Sequence, residues 1–112
     1  MMISQLFAAS LVAFITTDTF EVESCIGERF QLIKSEKAKW PIHSDRFNSA
    51  YVDFKILVDG DGNIFESKIL RAEPKRVFDK ESLRALKRWK FNESKYSERC
   101  FNVTFKFNNE SD

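Results

Sequence analysis

The sequence predicts a small α+β domain, a three-stranded antiparallel sheet with helices packed on one face, and three observations carry that prediction. Two segments alternate apolar and polar residues, as a half-buried strand must. Ala50 to Val58 sets Val52, Phe54, Ile56 and Val58 on one face, and Cys100 to Phe107 does the same with Phe101, Val103, Phe105 and Phe107. Asp59-Gly60-Asp61-Gly62 supplies residues that tolerate positive φ, a hairpin signal leading into a second strand from about Asn63 to Ala72. Phe78 to Trp89 repeats at helical period. The order strand, hairpin, strand, helix, strand is met most economically by an antiparallel sheet with helices on one side.

Asp79 stands at a helix N-cap position, where its carboxylate can accept from free backbone N–H groups. Phe78 and Leu83 are spaced as a hydrophobic staple. Ser82, Leu83, Ala85, Leu86 and Trp89 share one half of the wheel, and Lys80, Glu81, Arg84, Lys87 and Arg88 the other. Trp89 is therefore the largest side chain expected in the core. Asp18 to Lys39 reads two ways: Phe30 and Leu32 fit an alternation, and Arg29, Phe30, Ile33, Lys34 and Lys37 fit a helix.

The run from Trp40-Pro41, through Val58-Asp59-Gly60-Asp61-Gly62, to Ala72-Glu73-Pro74, Phe78-Asp79 and Arg88-Trp89-Lys90-Phe91 resembles the C-terminal domain of TonB, the energy transducer of Gram-negative bacteria. The resemblance extends over roughly residues 37 to 107, and implies a three-stranded sheet packed by helices. It also implies a binding surface, because in that family the last strand and the aromatic-Pro segment engage the TonB box of outer-membrane receptors. Carried over, this assigns Lys39, Trp40, Pro41, Arg99, Cys100, Phe101, Asn102, Val103, Thr104 and Lys106 to partner binding. The mechanism expected is sheet-edge pairing along the last strand, with Asn102 and Lys106 facing outward. The family's usual Gly before the first strand is replaced by Ser49-Ala50. A full transducer of that design carries a membrane helix and a long Pro-rich spacer, whereas this chain has two prolines, Pro41 and Pro74. The expectation is a stand-alone short form, an accessory or modulator that binds a receptor or a partner transducer.

The 112 residues suffice for one domain. Residues 1–17 carry no charged side chain, and Leu6 to Ile15 has the length of a signal-peptide apolar region rather than of a membrane span. The expected organisation is a signal peptide over 1–17, an N-terminal segment over 18–38 and a TonB C-terminal-like domain over 39–112. The expected location is the periplasm, with an uncleaved inner-membrane anchor as the alternative. Two cysteines in an exported chain pair more often than not, so a Cys25–Cys100 disulfide is expected; in a cytosolic chain both would be small apolar residues.

Other chemistry finds little support. Asp59, Asp61 and Asn63 open like a calcium loop, but Ile64 and Leu70 stand where the Gly and the bidentate Glu belong. His43, the sole histidine, lies near Asp45 without a nucleophile, so no catalytic, metal or cofactor site is assigned. The net charge of +1 gives no general attraction to nucleic acid. Lys75 to Lys90 holds seven basic and two acidic residues, read as the solvated face of the helix. No small-molecule substrate is expected. The same open edge would also serve a homodimer, which gives the second functional reading, a self-associating interaction domain.

Overall fold

The two alternating segments form the middle of the sheet. The computed structural model describes residues 11–108. Within it the first segment is β4 (Ser49–Val58) and the second β7 (Arg99–Asn108), antiparallel from Ser49 opposite Asn108 to Val58 opposite Arg99. Val52, Phe54, Ile56, Phe101, Val103 and Phe105 are all buried on one face.

The turn after β4 is built by its own side chain. Asp59 Oδ1 accepts from the N–H groups of Asp61 and Asn63, at 3.0 and 2.9 Å, and Gly62 N–H reaches Asp59 O at 3.0 Å. Gly62 has φ of +93°, and a Cβ there would run into the Phe91 carbonyl, so both conformation and space demand glycine. The chain returns as β5 (Ile64–Glu73), antiparallel to β4, with bulges that leave Phe65 and Leu70 as extra residues.

The helix α1 (Asp79–Leu86) is shorter than its sequence pattern, and Asp79 does not cap it. Helical geometry begins one residue early, so Phe78 takes the capping position without a side-chain bond, and Asp79 Oδ1 is buried without a partner. Ser82 Oγ instead donates back to Phe78 O at 2.8 Å. Trp89 lies just beyond the helix, buried against Phe20, Phe105 and Phe91, with its indole N–H on Glu36 O at 2.9 Å.

The expected three-stranded sheet with helices on one face is corrected. The sheet has five strands, all antiparallel, in the order β1 (Phe14–Thr16), β2 (Phe20–Ser24), β7, β4, β5. One short helix is present among the described residues. A two-stranded ribbon, β3 (Leu32–Lys34) with β6 (Lys90–Phe91), lies beside it on the packed face. β2 and β3 come from the segment whose pattern was ambiguous, and β1 from the end of the run expected to be a leader. Phe20-Glu-Val-Glu-Ser alternates buried and exposed throughout and pairs with β7 from Phe20 opposite Phe105 to Ser24 opposite Phe101. Phe14–Thr16 pairs with β2, and Val12 bridges to Phe30. Residues 1–10 of the expected leader lie outside the described residues.

The core is an aromatic layer between the sheet and its cover. Phe91 stacks on Phe101 at 4.5 Å between ring centres, Phe30 meets Phe101 edge-on at 4.8 Å, and Phe78 meets Phe107 at 4.4 Å. The opposite face is polar, as one-sided antiparallel sheets allow. Asp53 there accepts from Thr104 at 2.6 Å and pairs with Arg71 at 3.1 Å.

Candidate functional site

The assigned binding surface divides into a part that is sealed and a part that is open. In an antiparallel strand, successive residues turn their N–H and C=O groups to opposite neighbours. Cys25 N–H bonds Cys100 O at 3.1 Å and Lys106 N–H bonds Thr19 O at 3.0 Å, so even-numbered residues of β7 face β2 and odd-numbered ones face β4. Both sides of β7 are thus occupied from Cys100 to Lys106. The expectation that the last strand is a free edge is corrected: the chain's own β2 lies where an added strand would go, and a disulfide joins Cys25 to Cys100 at its end, with Cα atoms 5.4 Å apart.

Several assigned residues consequently have structural partners. Phe101 and Val103 are fully buried in the core. Arg99 is 3 % exposed, and its guanidinium donates to Asp59 O at 2.9 Å and Asn92 O at 2.7 Å, tying the β4–β5 turn to the segment after β6. Burial pushes its pKa below the ordinary value, with Glu28 and Asp59 opposing the shift. Thr104 is held by Asp53 on the polar face, and Asn102, opposite Glu23, is exposed there.

Lys39, Trp40 and Lys106 are brought together. They line an open cleft of about 990 Å³ between Thr16–Thr19, Lys37–Trp40 and Lys106–Asn108. Trp40 is 36 % exposed and stands edge-on to Phe78 and Phe107, at 5.3 and 5.9 Å, so the packed rings fix its position while part of it faces solvent. Thr17 builds another wall, its Oγ1 accepting from Thr19 and Phe20 N–H groups at 3.1 and 3.0 Å to turn the chain between β1 and β2. Because β2 begins at Phe20, its cover ends there, and the last residue of β7 on that side, Asn108, lies past it. Lys37, Lys39 and Lys106 line the cleft against the single carboxylate of Asp18, and Lys106 reaches Glu21 at 3.4 Å on the polar face. Pro41 lies on a neighbouring shallow recess with His43 and Asp45. Lys37 and Thr16–Thr19 were not assigned from sequence; the available signal was the polar run Thr16-Thr17-Asp18-Thr19 between Ile15 and Phe20, which reads as a turn.

The sheet has two real edges. β1 contributes three residues, and β5 contributes ten, largely exposed. Among the described residues no group of His, Cys, Asp and Glu could hold a metal ion.

The chain is a one-layer antiparallel sheet with an aromatic cover, a polar outer face and open backbone at its margins. The model of the Gram-negative bacterial TonB protein C-terminal family matches residues 45–109, and the chain belongs to that family. Among solved structures it is similar to the solution NMR structure of the Pseudomonas aeruginosa TonB CTD, with a TM-score of 0.55 and 20 % identity over 74 % of this chain and 87 % of that one. No curated protein matches it. The family is a non-catalytic one associated with transport. No described helix is long and apolar enough to cross a membrane.

Proposed function

We propose that the chain is a periplasmic TonB-type module that captures a short extended segment, the TonB box of an outer-membrane receptor or an equivalent stretch of a partner transducer, and so supports energy-dependent transport across the outer membrane. The observation that carries this reading is the cleft where Lys39, Trp40 and Lys106 meet at the uncovered end of β7. A peptide laid there would find backbone groups at Asn108, an aromatic wall at Trp40 and three lysines. Backbone bonding supplies affinity without sequence selectivity, and the lysines favour a segment that carries an acidic residue.

The reading differs from simple edge addition in one respect. Along Arg99 to Phe105 the place of the added strand is taken by β2, so the peptide engages the end of β7 rather than its length. Export by a leader over residues 1–17, with retention as an anchor as the alternative, belongs to the same proposal. Removal of residues 1–17 would take β1 and the Thr16–Thr17 wall of the cleft with it, leaving Asp18, Thr19, Lys37 to Trp40 and Lys106 to Asn108 as its lining, and would open the outer row of β2.

Fluorescence anisotropy of a labelled TonB-box peptide with the full chain tests the assignment. Trp40→Ala and Lys106→Glu are each expected to weaken binding by roughly tenfold or more, as loss of a central aromatic anchor or reversal of a guiding charge does. Unchanged affinity in both variants would remove the cleft as the site. Self-association is the second reading, favoured by the free edge of β5.

A further inference from the structure

We propose that the free edge of β5 pairs with a second copy of this chain, antiparallel across a two-fold axis at Ser67, so that Glu66 of each copy faces Lys68 of the other. The inference deepens the self-association reading and is independent of the peptide cleft, which lies at the opposite side of the sheet.

Hydrogen-bond parity settles which groups are free. Odd-numbered residues of β7 bond to β4, and they stand opposite Val52, Phe54 and Ile56. Asp53, Lys55 and Leu57 therefore turn towards β5 and meet Arg71, Lys68 and Glu66. The remaining residues, Ser67 and Ile69, direct their N–H and C=O groups away from the sheet. Between the bulges at Phe65 and Leu70, residues Glu66 to Ile69 hold continuous register with β4 and form a regular edge.

The charges on that edge lack partners. Lys68 stands directly opposite Lys55 in the ladder, an unfavourable like-charge pair. Among the described residues neither these lysines nor Glu66 takes part in an ion pair. Two copies related by a two-fold axis must oppose residues of the same sheet face, which limits the registers. With Ser67 on the axis, the two copies exchange a pair of backbone bonds there. Glu66 and Lys68 then fall opposite each other twice, in the closer-spaced non-hydrogen-bonded pairs, and each Lys68, with Lys55 on its inner side, gains a carboxylate on its outer side. Centring on Lys68 would instead set two ammonium groups together. The surface is also apolar where it should be: Phe65 is 51 % and Ile69 38 % exposed, and each would lie opposite the other across the junction. A groove of about 310 Å³ between β5 and α1, lined by Phe65, Leu83 and Leu86, opens beside it.

Sedimentation equilibrium of the 112-residue chain over a micromolar to millimolar range tests this. The wild-type mass is expected to rise towards twice the monomer value. Glu66→Lys alone and Lys68→Glu alone should each weaken dimerisation by about tenfold or more, because two attractive pairs become repulsive. Mixing those two variants should restore association, since every facing pair is then opposite in charge. Ser67→Pro should remain folded, its N–H being the free one, and should stay monomeric. A wild-type chain that is monomeric throughout, variants that associate like wild type, or a mixture that does not recover would each overturn the proposal. Amide shifts along β5 on adding the TonB-box peptide to a monomeric chain would overturn it in favour of a foreign strand.

Discussion

Arg99 illustrates how a residue assigned to binding by its place in a motif can be claimed by the fold. Its guanidinium Nη2 donates to two carbonyls, Asp59 O, which also accepts from Gly62 N–H, and Asn92 O. Arg99→Ala leaves Asn92 O without its donor, whereas Asp59 O keeps Gly62 N–H, so a loss of about 1–3 kcal/mol in urea unfolding is expected. Arg99→Lys should recover part of the loss, because both bonds leave from one nitrogen, Nη2, and an ammonium also carries several donors. Trp89 was legible as core from helical spacing alone. Trp89→Ala should cost about 3–5 kcal/mol as a large-to-small core change. Trp89→Phe should cost about 1–2 kcal/mol more than volume accounts for, since Glu36 O loses its donor. Asp79 was not legible: its spacing fits an N-cap, but the last turn before the helix closes on Phe78, and no local pattern separates those outcomes.

At the scale of elements, the long strands and the hairpin followed from period-two alternation and the Asp-Gly turn, because those signals are local. The N-terminal strands did not. Phe20-Glu-Val-Glu-Ser has the alternation of a half-buried strand, but five residues beside an apolar run give too few periods to decide against a helix, and pairing with β7 crosses some eighty positions of sequence. β2 is held by that ladder and by the Cys25–Cys100 disulfide, which closes a separation of 75 residues. Replacing both cysteines by serine should lower stability by about 2–4 kcal/mol. In hydrogen exchange the loss should concentrate on β2, with Val22 and Ser24 amides losing protection ahead of those in β4, because β4 keeps both neighbours. Equal loss across β2 and β4 would mean that the two strands open as one unit. Asn102→Pro now bears on the same ladder: its N–H faces β2, so the substitution should destabilise the fold rather than report on a ligand.

For the whole molecule, the sequence conveyed that a small sheet would bury one aromatic face but not which strand would be its edge. Edge identity depends on strand order, and strand order here is set by β2, whose role was unread. The consequence is a division of labour around the sheet. β7 is closed along its length, its far end opens onto the Trp40 cleft, and β5 presents the long free margin. The basic lining of the cleft and the apolar, charge-alternating margin of β5 differ in chemistry, so under the two proposals one molecule would hold a peptide and a second copy at once.

On the proposed function the partner peptide enters at the end of β7. An amide NMR titration of the oxidised full chain with a TonB-box peptide tests it most directly. Shifts are expected to concentrate in Thr17 to Thr19, Lys37 to Trp40 and Lys106 to Asn108, with β2 amides retaining their protection. Shifts running along Arg99 to Phe105 with release of β2, or no shifts at millimolar peptide, would contradict it.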